Sequence, residues 1–163
     1  MIEKKCYCGS PKTFQDCCEP YIKGIQKAPS AEALMRSRYS AYVTHAADYL
    51  VATTQLSKRK FHSKKEILDW ACCNTWLRLE IISTTGNVVE FKAYYFEIQR
   101  EINSLPPVHI HHEKSTFRFE NGSWFYMWMG YFIDYFKLIP SLFWFFLFFY
   151  NAFGEDFFHP KLY

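Results

Sequence analysis

Residues 111–126 read HHEKSTFRFENGSWFY. Strand side chains repeat every second residue. Phe117 and Phe119 therefore share one side with His111, Glu113 and Ser115, while Lys114, Arg118 and Glu120 share the other with His112. Asn121-Gly122 follows, the pair that best accepts the positive φ values of a two-residue hairpin. The run predicts a strand over residues 108–120, a tight turn, and a last strand over residues 123–129. Upstream, residues 88–98 alternate Val89, Phe91, Ala93 and Tyr95 with Glu90 and Lys92. Residues 76–83 set Leu77, Leu79 and Ile81 against Arg78 and Glu80, and Gly86-Asn87 turns the chain between the two runs. Residues 99–107, closing on two prolines, read as a loop.

Ahead of this meander the apolar period becomes helical. Residues 19–29, punctuated by Pro20, Gly24 and Pro29, read as a connector. Ser30 caps the helix that follows, and Glu32 suits its positive end. Met35, Tyr39, Tyr42, Ala46 and Tyr49 recur at spacings of four and three, one apolar stripe flanked by Arg36 and Arg38. A bend is expected near His45, with a short helix starting at Asp48. Residues 56–65 contain SKRKFHSKK, a basic loop. Nucleic-acid contact is one reading; a solvated loop fits better, because no aromatic ladder interleaves the charges. Ser63 and Glu66 form a capping box that opens a third helix, ending at Cys72 and Cys73, expected as buried inert thiols. Helices followed by an antiparallel meander define an α+β fold, a curved sheet over a helical layer.

If the strand phenylalanines face inward, Glu113, His111 and Ser115 line the mouth of the sheet, and these three are the candidate catalytic residues. A buried carboxylate must be paired or have its pKa moved. Arg36 or Arg38 is the alternative, as an ion-pair partner for Glu113. Only His109 and His111 share a face, so three histidines do not make a metal site on this strand. No GxGxxG, Walker A loop, GxSxG or HExxH is present.

The remaining chemistry is at the start of the chain. CYCGSPKTFQDCC carries Cys6, Cys8, Cys17 and Cys18, with Gly9 and Pro11 able to turn the chain after the first pair. Phe14 would plug the gap between the halves. So short a segment cannot bury a core and needs a cross-link. Zinc held by four sulfurs is one solution; two disulfides joining the pairs are the other. The polar start MIEKK has no apolar leader, so a reducing cytoplasmic setting is expected, which favours metal. Lys4, Lys5 and Lys12 would offset the formal charge of such a centre. With four protein ligands it would be closed to water, hence structural.

The cysteine run resembles the SEC-C motif, the zinc-binding tail of the SecA translocation ATPase, at Cys6, Cys8, Gly9, Ser10, Cys17 and Cys18. EPYIKGIQKAPSAEALMRSRYSAYVTHAADYLVATT, then TWLRLEI and HHEKSTFRFENGSWFY, resemble the bacterial YchJ family in order. The resemblance implies a SEC-C zinc hook over residues 1–24 and a nuclear transport factor 2-like (cystatin-like) cone over residues 30–130. In the cone, about three helices lie on the sheet. In SecA the motif engages an export chaperone and the ribosome, which implies a protein or ribosome partner here. Folds related to the cone hold small ligands or run acid–base chemistry, which makes a cavity around Glu113 the alternative. Whether the chain is an enzyme is open, with a binding module the expectation.

Charge is uneven. Residues 1–65 carry twelve Lys and Arg against five Asp and Glu; residues 66–163 carry seven against eleven. The basic half suits an acidic protein, a ribosome surface or RNA, or simply keeps a small module soluble. After Tyr126 the family pattern fails, with Met127, Trp128 and Met129 where a pair like Asp-Gly is expected. Residues 131–163 form a divergent aromatic tail in which Phe dominates. Three readings compete: a membrane anchor over residues 131–153 placing the protein at the inner membrane, an apolar helix covering the sheet or a partner, and a reading-frame product. The abrupt end of the resemblance favours the third.

Overall fold

A computed structural model describes residues 5–61, 63–98 and 106–127. The first element, α1 (Glu19–Ile22), carries Pro20 in its first turn, where the missing N–H costs nothing. It stops at Gly24, which takes φ +70°. The expected connector thus contains a turn of helix. Helix α2 (Ala31–Val43) is capped by Ser30, whose hydroxyl accepts from the Ala33 N–H at 3.1 Å. It ends at the expected bend, where His45 sits at φ +58°. Of the predicted stripe, Met35 and Tyr39 are buried on α2, while Tyr49 lies past the bend on α3 (Ala47–Ala52).

A 3₁₀ turn, Leu56–Phe61, takes up the first part of the basic loop. Helix α4 (Lys64–Cys72) starts on Ser63, which accepts from the Glu66 N–H. Cys72 and Cys73 are exposed, which corrects the expectation of buried thiols. The inward face of α4 is carried by Ile67 and Ala71, four apart, and the next residue is rotated about 100° away from it.

Strands β1 (Asn74–Thr85), β2 (Val88–Glu97), β3 (His109–Glu120) and β4 (Ser123–Tyr126) form a sheet in that order, every pair antiparallel. The β3–β4 turn holds Asn121 at φ +49° and Gly122 at φ +72°, as a two-residue turn of this hand requires. Phe117 then faces Tyr126, and Phe119 faces Trp124. Register shifts interrupt β1 between Trp76 and Arg78 and between Ile81 and Ser83. Leu77 and Ile82, the extra residues, are 45% and 43% exposed. Leu77 therefore does not join Leu79 on the inner face, because a bulge resets the alternation. Phe119 is 58% exposed and packs its ring on Trp124 at 5.3 Å.

Helix α2 lies on the inner face of the sheet. Leu34, Met35 and Tyr39 meet Leu79, Val89, Phe91, Ala93, Phe117 and Tyr126, and Cys6, Cys8 and Cys18 belong to the same cluster. A smaller cluster of Ala41, Ala47, Leu50 and Ile67 ties α2, α3 and α4 together. Each large apolar side chain buried this way stabilises the fold by about 1.5–3 kcal/mol. Among the described residues, no helix is long and apolar enough to cross a membrane. The tail, including the anchor read over residues 131–153, lies outside the described residues.

Candidate metal centre and buried glutamate

The cysteine segment closes on itself as a hairpin. Lys5 and Thr13 bridge, the Cys6 N–H donates to the Lys12 carbonyl at 2.8 Å, and Gly9 takes φ +84° at the turn. The Phe14 carbonyl accepts from the Cys17 and Glu19 N–H groups, folding the second cysteine pair back toward the first. The Phe14 ring meets Tyr7 edge-on at 5.2 Å. The outcome is convergence: the sulfurs of Cys6, Cys8, Cys17 and Cys18 all lie within 4.8 Å of one another.

No disulfide joins any of the six cysteines. Cys8 and Cys17 approach to 3.7 Å and Cys17 and Cys18 to 3.9 Å, far beyond the ~2.05 Å of a disulfide. Four sulfurs so placed can bind one metal ion. Packed together, the thiols shift one another: Cys18 is pushed up, first by the bonds it gives to Cys6 and Cys8, and Cys6 is pushed down by accepting from Cys18 and Cys8. A divalent ion is what lets four thiols packed this closely ionise together.

Helix α2 grips this hairpin. Arg36 donates from Nη1 to the Cys8 carbonyl at 2.9 Å and from Nε to Glu32 at 2.7 Å. Glu32 is held in turn by Thr84 at 3.1 Å. Ser40 Oγ lies 3.8 Å from the Cys6 sulfur. An open groove of about 400 Å³ runs beside the cluster, with Ser10, Lys12, Asp16, Cys17, Tyr21 and Arg36 on its walls.

The sheet brings the other expected residues together as well. His111 Nε2 lies 2.7 Å from Glu113 Oε2, and the Ser115 hydroxyl donates to Oε1. A third donor, unforeseen, is the Tyr126 hydroxyl, at 2.7 Å from Oε1. The two-residue turn carries the signal for it: counting back from Asn121-Gly122 sets Tyr126 across from Phe117, on the face of Glu113. Neither arginine pairs with Glu113 among the described residues, contrary to the alternative reading. Arg36 serves the cysteine hairpin. Arg38 is buried and donates to the Leu50 carbonyl at 2.8 Å and to Thr53 Oγ1 at 2.7 Å, capping α3. Its guanidinium lies over the Tyr126 ring, 4.4 Å from the centroid.

Burial alone would push the Glu113 carboxyl up, but His111, Ser115 and Tyr126 together outweigh it and hold the group below its ordinary range. Tyr126 is driven well above the usual phenol range, by burial first and by the Glu113 charge second. Glu113 is only 7% exposed, so the carboxylate is enclosed and its donors are spent on it. His109 stacks on Tyr95 at 5.5 Å, and His112 bonds Glu90 at 2.9 Å on the outer face, so the histidines do not converge.

Fold and site together define a class: a nuclear transport factor 2-like domain with a SEC-C cysteine motif packed against it. The model of the YchJ middle NTF2-like domain matches residues 30–128. A UPF0225 protein of Photorhabdus laumondii is 36% identical over 128 residues, 75% of this chain and 77% of that protein. A UPF0225 protein of Geobacter sulfurreducens is also 36% identical over 128 residues, 74% of this chain and 75% of that protein. The solution structure of a SEC-C motif containing protein from Rhodopseudomonas palustris superposes with a TM-score of 0.67 at 36% identity, over 77% of this chain and 96% of that one. A crystal structure of a SEC-C motif containing protein from Psychrobacter arcticus gives 0.63 at 31%, over 79% and 82%. The chain belongs to the YchJ (UPF0225) family.

Proposed function

We propose that this protein is a docking module of the reducing cytoplasm. Its SEC-C hook holds one zinc ion and presents a rigid surface to a protein or ribosomal partner. The observation that carries the reading is the sulfur spacing. Four bonds of about 2.3 Å at tetrahedral angles put the ligands about 3.8 Å apart. Two of the six edges found here are 3.7 Å and 3.9 Å, and all six lie within 4.8 Å. Cys6, Cys8, Cys17 and Cys18 would hold the ion, and the four sulfurs leave no position for water. The zinc would supply cross-linking and no reaction. Glu113 supports the same reading. A carboxylate that accepts three hydrogen bonds in a closed interior is poorly placed to take a proton from a substrate.

The test is native mass spectrometry of anaerobically purified full chain, followed by ribosome cosedimentation with and without a chelator. One zinc per chain and chelator-sensitive sedimentation are expected. Material without stoichiometric zinc, or sedimentation indifferent to replacing all four ligands with serine, overturns the reading.

A further inference from the structure

The four cysteines of the hook are not equally reachable. Cys6, Cys8 and Cys18 are buried in the main core cluster. Cys17 is half-buried and stands on the wall of the open groove of about 400 Å³. Cys18 borders the same groove but is only 1% exposed. A small solute entering from water therefore meets Cys17 first. Its near neighbours are the sulfurs of Cys8 at 3.7 Å and Cys18 at 3.9 Å. Cys18 is a poor bonding partner, because adjacent residues hold their Cα atoms about 3.8 Å apart, short of the roughly 4.4 Å that a disulfide needs. Cys8 lies on the other arm, nine residues back. Both arms are braced by backbone bonds that involve no sulfur: the Cys6 N–H donates to the Lys12 carbonyl and the Cys17 N–H to the Phe14 carbonyl. Drawing the two sulfurs from 3.7 Å to the ~2.05 Å of a disulfide is a displacement on the scale of side-chain rotation.

We propose that the hook is a peroxide-operated switch: Cys17 is oxidised first, Cys8 closes a disulfide onto it, and the ligand set falls from four sulfurs to two, releasing the ion. The inference rests on the docking reading above and assigns that site its regulation. The chemistry balances in two displacements. The Cys17 thiolate attacks one oxygen of hydrogen peroxide; the O–O bond breaks, hydroxide leaves and a sulfenic acid remains. The Cys8 thiolate then attacks the Cys17 sulfur; the S–O bond breaks, a second hydroxide leaves and the S–S bond forms. Two thiolates have given up two electrons, and one peroxide has taken them. Cys6 and Cys18 remain, and two sulfurs do not retain an ion that four held. The disulfide ties the same two arms but leaves the other two sulfurs in the core without the ion, so the oxidised hook does not reproduce the docking surface. A cytoplasmic dithiol returns the two electrons and restores the ligand set.

The experiment uses zinc-loaded full chain carrying Cys72→Ser and Cys73→Ser, which removes the two exposed thiols outside the hook. Excess hydrogen peroxide is added, released zinc is followed with a chromophoric chelator, and disulfides are located by tandem mass spectrometry of alkylated peptides. Each chain loses its zinc together with two thiols, Cys8 is found joined to Cys17, and dithiothreitol with added zinc reverses both changes. Cys17→His keeps a fourth ligand of a type that zinc accepts and slows the release about tenfold or more. Should that variant fail to hold zinc, the disulfide map of the parent chain decides alone. A pairing other than Cys8 with Cys17, Cys17 taken to sulfinic acid with no disulfide, zinc retained under peroxide, or undiminished release from Cys17→His overturns the inference. The untreated chain reports the docking reading separately. If it holds zinc and cosediments with ribosomes while peroxide changes neither, only the switch fails. If it holds zinc and forms the disulfide but never cosediments, the docking reading fails and the thiol chemistry stands.

Discussion

Taking the Glu113 carboxylate out of water penalises its charged form, and His111, Ser115 and Tyr126 return three hydrogen bonds. The balance favours the ion. Glu113→Gln keeps the shape but sets an amide against at least one of those donors. We expect it to lower stability by about 2–4 kcal/mol at neutral pH, read from denaturant midpoints. The pH dependence has a definite sign. A folded pKa below the unfolded one, about 4.3, gives stability that is present above that value and lost as pH falls through the folded pKa. The gap between wild type and Glu113→Gln should therefore narrow in acid; a gap constant from pH 7 to pH 3 would refute the assignment. Tyr126 has the opposite sign. Its raised pKa makes stability fall once pH exceeds about 10, and Tyr126→Phe should lose that alkaline sensitivity at a cost near 1 kcal/mol. Much of this cluster was legible, since His111, Glu113 and Ser115 follow from strand period alone. Tyr126 could be had only by counting register across the turn. The fate of Arg38 depended on where α3 ends, which no local pattern states.

Elements built on strong local chemistry were the readable ones. Ser30 and Ser63 cap helices as their sequence context indicates, and Asn121-Gly122 makes the hairpin. The bulges of β1 were not readable, because the leucine-rich alternation TWLRLEI fits an unbroken strand equally well. They arise from register against β2, a tertiary fact. Cys72 and Cys73 depart from expectation for a related reason: a cysteine's usual preference for the interior does not say which face of α4 meets the core. Helix α2 is the element that couples sheet and hook, through Arg36 and Ser40. Arg36→Gln should weaken metal affinity about tenfold or more, as loss of an outer hydrogen bond to a ligand segment generally does. Competition against a chromophoric zinc chelator measures it. Glu32→Gln, which removes the charge orienting Arg36, should give a smaller loss in the same direction.

At the scale of the whole molecule, the hook is not an appendage. Cys6, Cys8 and Cys18 are 4%, 0% and 1% exposed and share one apolar cluster with Leu34, Tyr39, Val89, Phe91 and Phe117. Sequence reading put the hook and the cone in separate segments, since the cysteine spacing carries no sign of what lies against it. If the sulfurs are part of the main core, removing the ion leaves mutually repelling thiolates, or thiols without hydrogen-bond acceptors, inside it. Metal binding then stabilises the domain by linkage, because the unfolded chain lacks the site. Chelation should therefore shift the unfolding of the entire described fold as one cooperative transition. Hydrogen exchange resolved by residue is the decisive readout. On zinc removal, protection should fall along α2 and in β2 and β3, as well as in the hairpin around Gly9. Faster exchange confined to the hairpin, with α2 and the sheet unaffected, would mean that the hook is thermodynamically separate despite its packing. Replacing Cys17 alone offers a graded version. It is the least buried of the four, so Cys17→Ser should lose the metal with little direct damage to packing. Its melting temperature should match that of the chelated wild type.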